Sequence, residues 1–285
     1  MPSRSNSSLA ATTTSGRPAL TFLAIAVLAL ALAVLSMFPA AALAGRVSAA
    51  DRPTIVLVHG AWVGSGGWDH VRAGLAKDGY ETAAPALGLL DMPTDVATVR
   101  ATLDAMPGDK ILVGHSYGGA VISQAAAGRT DVRGLVFTAA FAPDEGQSLL
   151  DLGAGYAPPA ALALGHLLFA GDPPFAPTTI DPNYFRDDFA QDLNPKLAST
   201  LSAQQRPTGL LIFAQPAGPA AWHSLPSWYA VSAADRMVDP ALQRSMAGRI
   251  GATTVEFDDA SHAGGLTHYA ARFVRLIEGA VAATR

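Results

Sequence analysis

Ser116 stands at the centre of Gly114-His115-Ser116-Tyr117-Gly118, directly after the apolar run Ile111-Leu112-Val113. Ala120, Val121, Ile122, Ala125 and Ala126 follow at helical spacing. A serine between glycines, on a turn from strand to helix, is the arrangement that lifts a hydroxyl out of a sheet and leaves it open to attack a substrate. The glycines are needed because side chains there collide with neighbouring backbone. The plain alternative is a glycine-rich turn whose serine caps a helix.

A serine hydroxyl is a weak nucleophile at neutral pH and needs a base within hydrogen-bond reach. The chain has 7 His. His59 and His115 fall inside turn motifs, where local packing is the simplest reading. His70, His166, His223 and His268 fall in helices or irregular segments, with no companion at useful spacing. His262 differs, because Asp258-Asp259-Ala260-Ser261-His262 is the loop leaving the last expected strand. In an open α/β sheet that loop shares an edge with the loop carrying Ser116. The base in turn needs a carboxylate to fix its tautomer. Asp235 and Asp239 follow the strand at 228–232, and Asp258 and Asp259 lie near His262. The order Ser, Asp, His along the chain favours Asp235. Asp239, before Pro240, reads equally as a helix N-cap.

Charge developing on a substrate oxygen needs two backbone N–H donors. Tyr117, after the serine, supplies one. The loop His59-Gly60-Ala61-Trp62 supplies the other, with Ala61 preferred and Trp62 the alternative. The neighbouring Gly64-Ser65-Gly66-Gly67 lets this loop bend. It lacks the Gly-Lys-Ser/Thr ending of a phosphate cradle.

These groups must be held by regular elements. Strands are expected at 54–58, 81–87, 110–114, 132–140, 228–232 and 253–257. Helices are expected at 68–79, 95–106, 117–128, 240–249 and 267–282. The alternation predicts an α/β fold with a doubly wound, mostly parallel sheet of about six strands. It breaks at Pro143 and resumes after Pro226. A loop that long is implausible in a compact domain, so 143–226 is read as a helical lid without a clear strand. Leu162, Leu164, Leu167, Leu168 and Phe169 there either line an apolar pocket or pack the lid onto the core.

The chain of 285 residues has a formal net charge of −4 and no Lys/Arg cluster. This argues against nucleic acid as a partner. With 0 Cys, disulfides, thiolate nucleophiles and Cys-type zinc sites are excluded. Residues 1–19 are Ser/Thr-rich with Arg4 and Arg17, and 20–38 form an apolar run ended by Pro39. Ala42-Leu43-Ala44 then offers small residues for a signal peptidase. The expectation is a signal peptide over 1–44, with a cut near 49 or an uncleaved anchor at 20–38 as alternatives. The remainder, 51–285, forms one domain, secreted or periplasmic, with no membrane contact after cleavage.

Ile55-Val-Leu-Val-His-Gly-Ala-Trp62, Gly114-His-Ser-Tyr-Gly-Gly119 and Ala139-Ala-Phe-Ala-Pro-Asp-Glu-Gly146, with Pro226-Ser-Trp-Tyr229, the Asp235 turn and Ser261-His262, resemble the α/β-hydrolase superfamily. Within it the chain looks like the small esterases akin to plant methylesterases and hydroxynitrile lyases and their bacterial relatives. The resemblance implies a Ser116–His262–Asp235 triad, a cap between Phe141 and Pro226, and cleavage of a small-molecule carboxylic ester through an acyl-serine, without cofactor or metal. Two other readings stay open. One is a lyase using His262 for proton transfer; those relatives employ a lysine near the acid–base pair, and no Lys follows Lys196 here. The other is a ligand-binding protein on the same fold.

Overall fold

The computed structural model describes residues 52–163, 165–173 and 176–285. The expected signal peptide or anchor, its cleavage sites and Leu164 lie outside the described residues.

Six strands form one sheet in the order β2-β1-β3-β4-β7-β8. They are β1 Thr54–Val58, β2 Thr82–Ala83, β3 Lys110–His115, β4 Val132–Thr138, β7 Ser227–Ser232 and β8 Thr253–Phe257. Every neighbouring pair is parallel. The central strands β1 and β3 read as apolar runs because both faces are covered, and alternate residues feed two separate cores. Val56, Val58, Leu112, Tyr229 and Val231 enter one core. Ile55, Leu57, Ile111, Val113, Trp228 and Ala230 enter the other.

Five helices cover the sheet: α1 Asp69–Lys77, α2 Met92–Asp104, α3 Tyr117–Ala126, α9 Pro240–Arg249 and α10 Ala270–Ala283. Helices α1 and α10 bury Val71, Leu75, Phe273 and Ile277 in the second core, where Trp68 stacks on Phe273. Helices α2, α3 and α9 bury Val99, Leu103, Val121, Ile122, Leu242 and Met246 in the first. The remaining elements lie between β4 and β7: α4 Leu149–Gly153, α5 Ala160–Ala163, β5 Leu167–Phe169, β6 Thr178–Ile180, α6 Pro182–Phe189, α7 Pro195–Ala203 and α8 Leu211–Ala214. Strands β5 and β6 pair antiparallel. The lid is therefore not purely helical. Three-residue strands separated by Pro- and Gly-rich chain leave no alternation long enough to read.

Other boundaries shift for local reasons. Helix α2 begins three residues before the expected Asp95, because the Asp91 side chain accepts from Thr94 N (3.0 Å) and Pro93 lies in the first turn. Asp95 turns inward instead. The strand expected at 81–87 is only two residues long. The last helix starts at Ala270, after a 3-10 turn at Gly264–Leu266. Among the described residues no helix is long and apolar enough to cross a membrane.

Chain order reverses at β1, which lies between β2 and β3. The crevice beyond the carboxyl ends of β1 and β3 is where such sheets bind ligands. Three glycines bring the backbones together there. A Cβ on Gly114 would stand 2.7 Å from Gly118 O, one on Gly118 2.4 Å from Val58 O, and one on Gly119 2.4 Å from Phe141 O. A real Cβ cannot occupy those places without moving backbone. Gly118→Ala should cost about 3 kcal/mol or more in urea unfolding. Gly279→Ala, on an exposed face of α10 with open space around its Cβ, should instead gain about 1 kcal/mol.

Candidate active site

Ser116 caps α3 with φ +54° and ψ −126°, a left-handed backbone that non-glycine residues rarely adopt. Backbone bonds brace the turn. Ser116 N–H donates to Thr138 O (3.3 Å), and Ser116 O accepts from Gly119 N (3.0 Å) and Phe141 N (3.0 Å). The loop leaving the first strand abuts it from the other side, where a Cβ on Gly60 would lie 2.6 Å from Ser116 Cβ.

His262 follows β8 and is 2% exposed. Its Nδ1 lies 2.7 Å from Asp235 Oδ2, both side chains being buried. The loop after β7 fixes that carboxylate. Asp235 Oδ1 accepts from Met237 N (2.7 Å) and Val238 N (3.0 Å), and Oδ2 accepts from Gln243 Nε2 (2.8 Å). Gln243, fully buried on α9, also accepts from Ser232 N (2.9 Å) and donates to Val238 O (2.8 Å), tying strand and turn to the carboxylate. Among the four carboxylates weighed from the sequence, Asp235 is the one that meets His262. Asp239 caps α9 through Ala241 N (2.8 Å) and also accepts from Ala157 N (2.9 Å). Asp258 and Asp259 are exposed, and Asp259 accepts from the Tyr269 hydroxyl.

His262 is held from behind as well. Phe189 of α6 meets its ring edge-on (4.7 Å between centroids), and Ala263 N–H donates to Phe189 O (3.1 Å). His115 does more than the local packing expected of it. Its Nε2 reaches His262 O across the sheet (2.9 Å). Burial pushes its pKa well below the ordinary value, so the neutral ring donates Nε2–H to that carbonyl. His59 behaves alike. Burial lowers its pKa from 6.5 to about 4, its Nε2 accepts from Leu87 N (3.0 Å), and Nδ1 donates to Gly60 O (3.0 Å).

The two expected donors flank Ser116. Among the described residues neither Ala61 N–H nor Tyr117 N–H is given to an acceptor. Trp62 N–H, the alternative, is taken by Thr208 Oγ1 (2.9 Å). The Tyr117 ring points away, and its hydroxyl donates to Asp95 Oδ2 (2.9 Å). Asp95 is fully buried and also accepts from Gly88 N (2.7 Å) and Leu89 N (3.2 Å). Burial raises the pKa of both groups. Sequence reasoning missed Asp95, Gln243 and Thr208. Their types carry no periodic or motif signal, and only the fold gives them partners. It also missed that His166 Nδ1 finds Asp188 Oδ2 (2.8 Å) inside the lid and that His223 finds Asp144 (2.9 Å).

Ser116 and His262 open onto a cavity of ≈ 340 Å³. Its wall is mostly apolar, with Trp62, Phe141, Leu149, Phe213, Met237 and Leu242 prominent, and no Lys or Arg among the described residues lines it. Of the lid residues for which the sequence leaves both lining and packing open, Leu167 and the partly exposed Leu162 line it, whereas Leu168 and Phe169 face solvent on the short hairpin. Among the described residues no cluster of three or more His, Asp or Glu side chains is arranged to hold a metal ion.

The profile of the Alpha/beta hydrolase family matches residues 55–276. A carbendazim-hydrolysing esterase of Nocardioides sp. is 36% identical over 110 residues, 34% of this chain and 46% of that protein, so the match spans about half of the relative's length. Among solved structures, a pyrethroid hydrolase from Sphingobium faniae superposes with a TM-score of 0.68 at 24% identity, over 81% of this chain and 98% of that one. A methylesterase from Arabidopsis superposes with a TM-score of 0.64 at 18% identity, over 80% and 99%.

The buried neutral histidines make stability depend on pH. Between about pH 6.5 and 4 the unfolded chain binds a proton at residue 59 that the folded chain refuses, so stability rises with pH across this window and is lost on acidification. His59 alone accounts for about 3 kcal/mol between those limits, and His115 adds in the same direction. Urea unfolding at pH 7 and pH 5 should show the loss, with a shallower slope in His59→Gln.

Proposed function

The chain belongs to the alpha/beta hydrolase family, and from that premise we propose that it is an exported serine hydrolase that cleaves uncharged carboxylic esters through an acyl-Ser116 intermediate. The observation that carries the reading is the buried Asp235–His262 contact beside a left-handed Ser116 at the mouth of an apolar cavity. His262 removes the Ser116 proton as the hydroxyl attacks the ester carbonyl carbon, and Asp235 steadies the imidazolium. Ala61 and Tyr117 N–H groups receive the negative charge on the carbonyl oxygen. His262 returns the proton to the leaving alcohol, then activates the water that frees the acid and restores Ser116.

The esterase name of the Nocardioides relative supports hydrolysis of an ester. The substrate's charge is inferred from the wall. Among the described residues a carboxylate entering the cavity meets Asp239 and no cation, so its desolvation goes uncompensated. The lyase reading gains nothing, since no lysine lines the cavity. Export is supported by the basic start, apolar run and Ala42-Leu43-Ala44 of the leader. The mass of the protein recovered outside the cytoplasm checks it.

Turnover of p-nitrophenyl butyrate tests the chemistry. Ser116→Ala should abolish it, and Asp235→Asn should lower kcat by about 10³-fold or more, whereas Asp259→Asn should leave kcat unchanged. Undiminished turnover by Ser116→Ala overturns the proposal. In a matched pair, the dimethyl ester of a dicarboxylic acid should be cleaved at least about tenfold faster than its monoanionic monomethyl ester, one uncompensated charge being worth well over 1.4 kcal/mol.

A further inference from the structure

Trp62 is a second residue at this edge with a left-handed backbone, at φ +57°. Trp62 lies in a turn, and its N–H, its carbonyl and its indole N–H are all bonded to the lid, the carbonyl accepting from Arg206 N (3.3 Å). Thr208 Oγ1 accepts from Trp62 N–H (2.9 Å), and Thr178 Oγ1 accepts from the indole Nε1–H (3.1 Å). Both threonines are fully buried. Thr208 donates its own hydroxyl proton to Arg206 O (3.1 Å), which turns the oxygen lone pairs toward Trp62. The two threonines are locked to each other as an isolated antiparallel bridge, Thr178 N–H to Thr208 O and Thr208 N–H to Thr178 O, each 2.8 Å. Thr178 Oγ1 adds a bond to Thr208 O (3.0 Å). Phe213 stacks on the indole at 5.6 Å.

The consequence lies one residue upstream. Ala61 N–H belongs to the Gly60–Ala61 peptide, so its aim follows the backbone angles of Ala61, and Thr208 restricts those angles by fixing the adjoining Ala61–Trp62 peptide through Trp62 N–H. Of the two amides after Gly60, one is spent on the lid and the other has no acceptor among the described residues. We propose that Thr208 is a positioning residue for the reaction: by occupying Trp62 N–H it aims Ala61 N–H at the carbonyl oxygen of a substrate on Ser116. The lid thereby completes the oxyanion site without touching substrate. This rests on the serine-hydrolase reading above.

Removing the acceptor leaves Trp62 N–H buried and unpaired, which drives the strained loop to another conformation. The effect must fall on transition-state oxygen and not on binding. Wild type, Thr208→Val and Thr208→Ser are compared on an ester and on its thionoester, in which sulfur, a weak acceptor, replaces the carbonyl oxygen. Rates are normalised to active sites titrated with a phosphonate. Thr208→Val should lower kcat on the ester 10- to 100-fold, keep KM within about threefold, and shrink the ester-to-thionoester ratio in proportion, while Thr208→Ser keeps wild-type values. An unchanged kcat per titrated site, or an equal fall on both substrates, overturns the inference and assigns Thr208 a purely structural role. If Thr208→Val does not fold, Thr208→Cys, nearly isosteric with a poor acceptor, must show a reduced ratio or the inference fails. Ester turnover that survives Ser116→Ala overturns the parent reading as well. Turnover lost in Ser116→Ala with an unmoved ratio in the Thr208 variants overturns this inference alone.

Discussion

Everything at the site depends on how closely bare backbones approach one another around Ser116. The positions where Cβ atoms would stand on Gly60, Gly114, Gly118 and Gly119 are filled by Ser116, by the start of α3, and by the ends of β1 and β4. That contact costs a left-handed serine, of order 1–3 kcal/mol. It gathers the ends of β1, β3 and β4 around one hydroxyl-bearing residue. The strain is not isolated. Among the described residues, Trp62, Leu89, Ser116 and Ala139 are the non-glycine residues with positive φ, and each is pinned by a bond from elsewhere in the chain: Thr208, Asp95, Thr138 and Ala230 respectively.

Around this elbow, buried polar groups take fixed roles by their partners. Asp235 receives three donors besides His262, so its position does not depend on the histidine it holds. His115 is neutral because it is buried, and its one donated proton anchors the His262 backbone. Tyr229, with its pKa raised by burial, both donates to Ala140 O and accepts from Ala140 N, closing the turn after β4 beside the strained Ala139. The lid adds Phe189 against His262 and Thr208 against Trp62, so it serves as part of the site's frame as well as its roof.

The sheet and the elbow could be read from the sequence because their signals are local. Ile55–Val58 and Ile111–Val113 are continuous apolar runs, and the spacing of Gly114 and Gly118 about Ser116 is demanded by sterics. Asp235 was separable from Asp239 only by position, since both precede helical turns and either could cap one. The structure adds the distance that distinguishes them. Asp95, Gln243 and Thr208 were illegible because a buried polar residue looks like an exposed one until its partner, 22, 8 or 146 residues away, is known. The β5–β6 pair was missed because its strands are too short to alternate.

The central claim, that Ser116 is a nucleophile activated by His262, is tested most directly by intact-mass and peptide mapping after incubation with a fluorophosphonate. The account requires one adduct per chain, on Ser116, formed far more slowly in Asp235→Asn. A protein that turns over ester yet takes no adduct, or takes it on another residue, would contradict it.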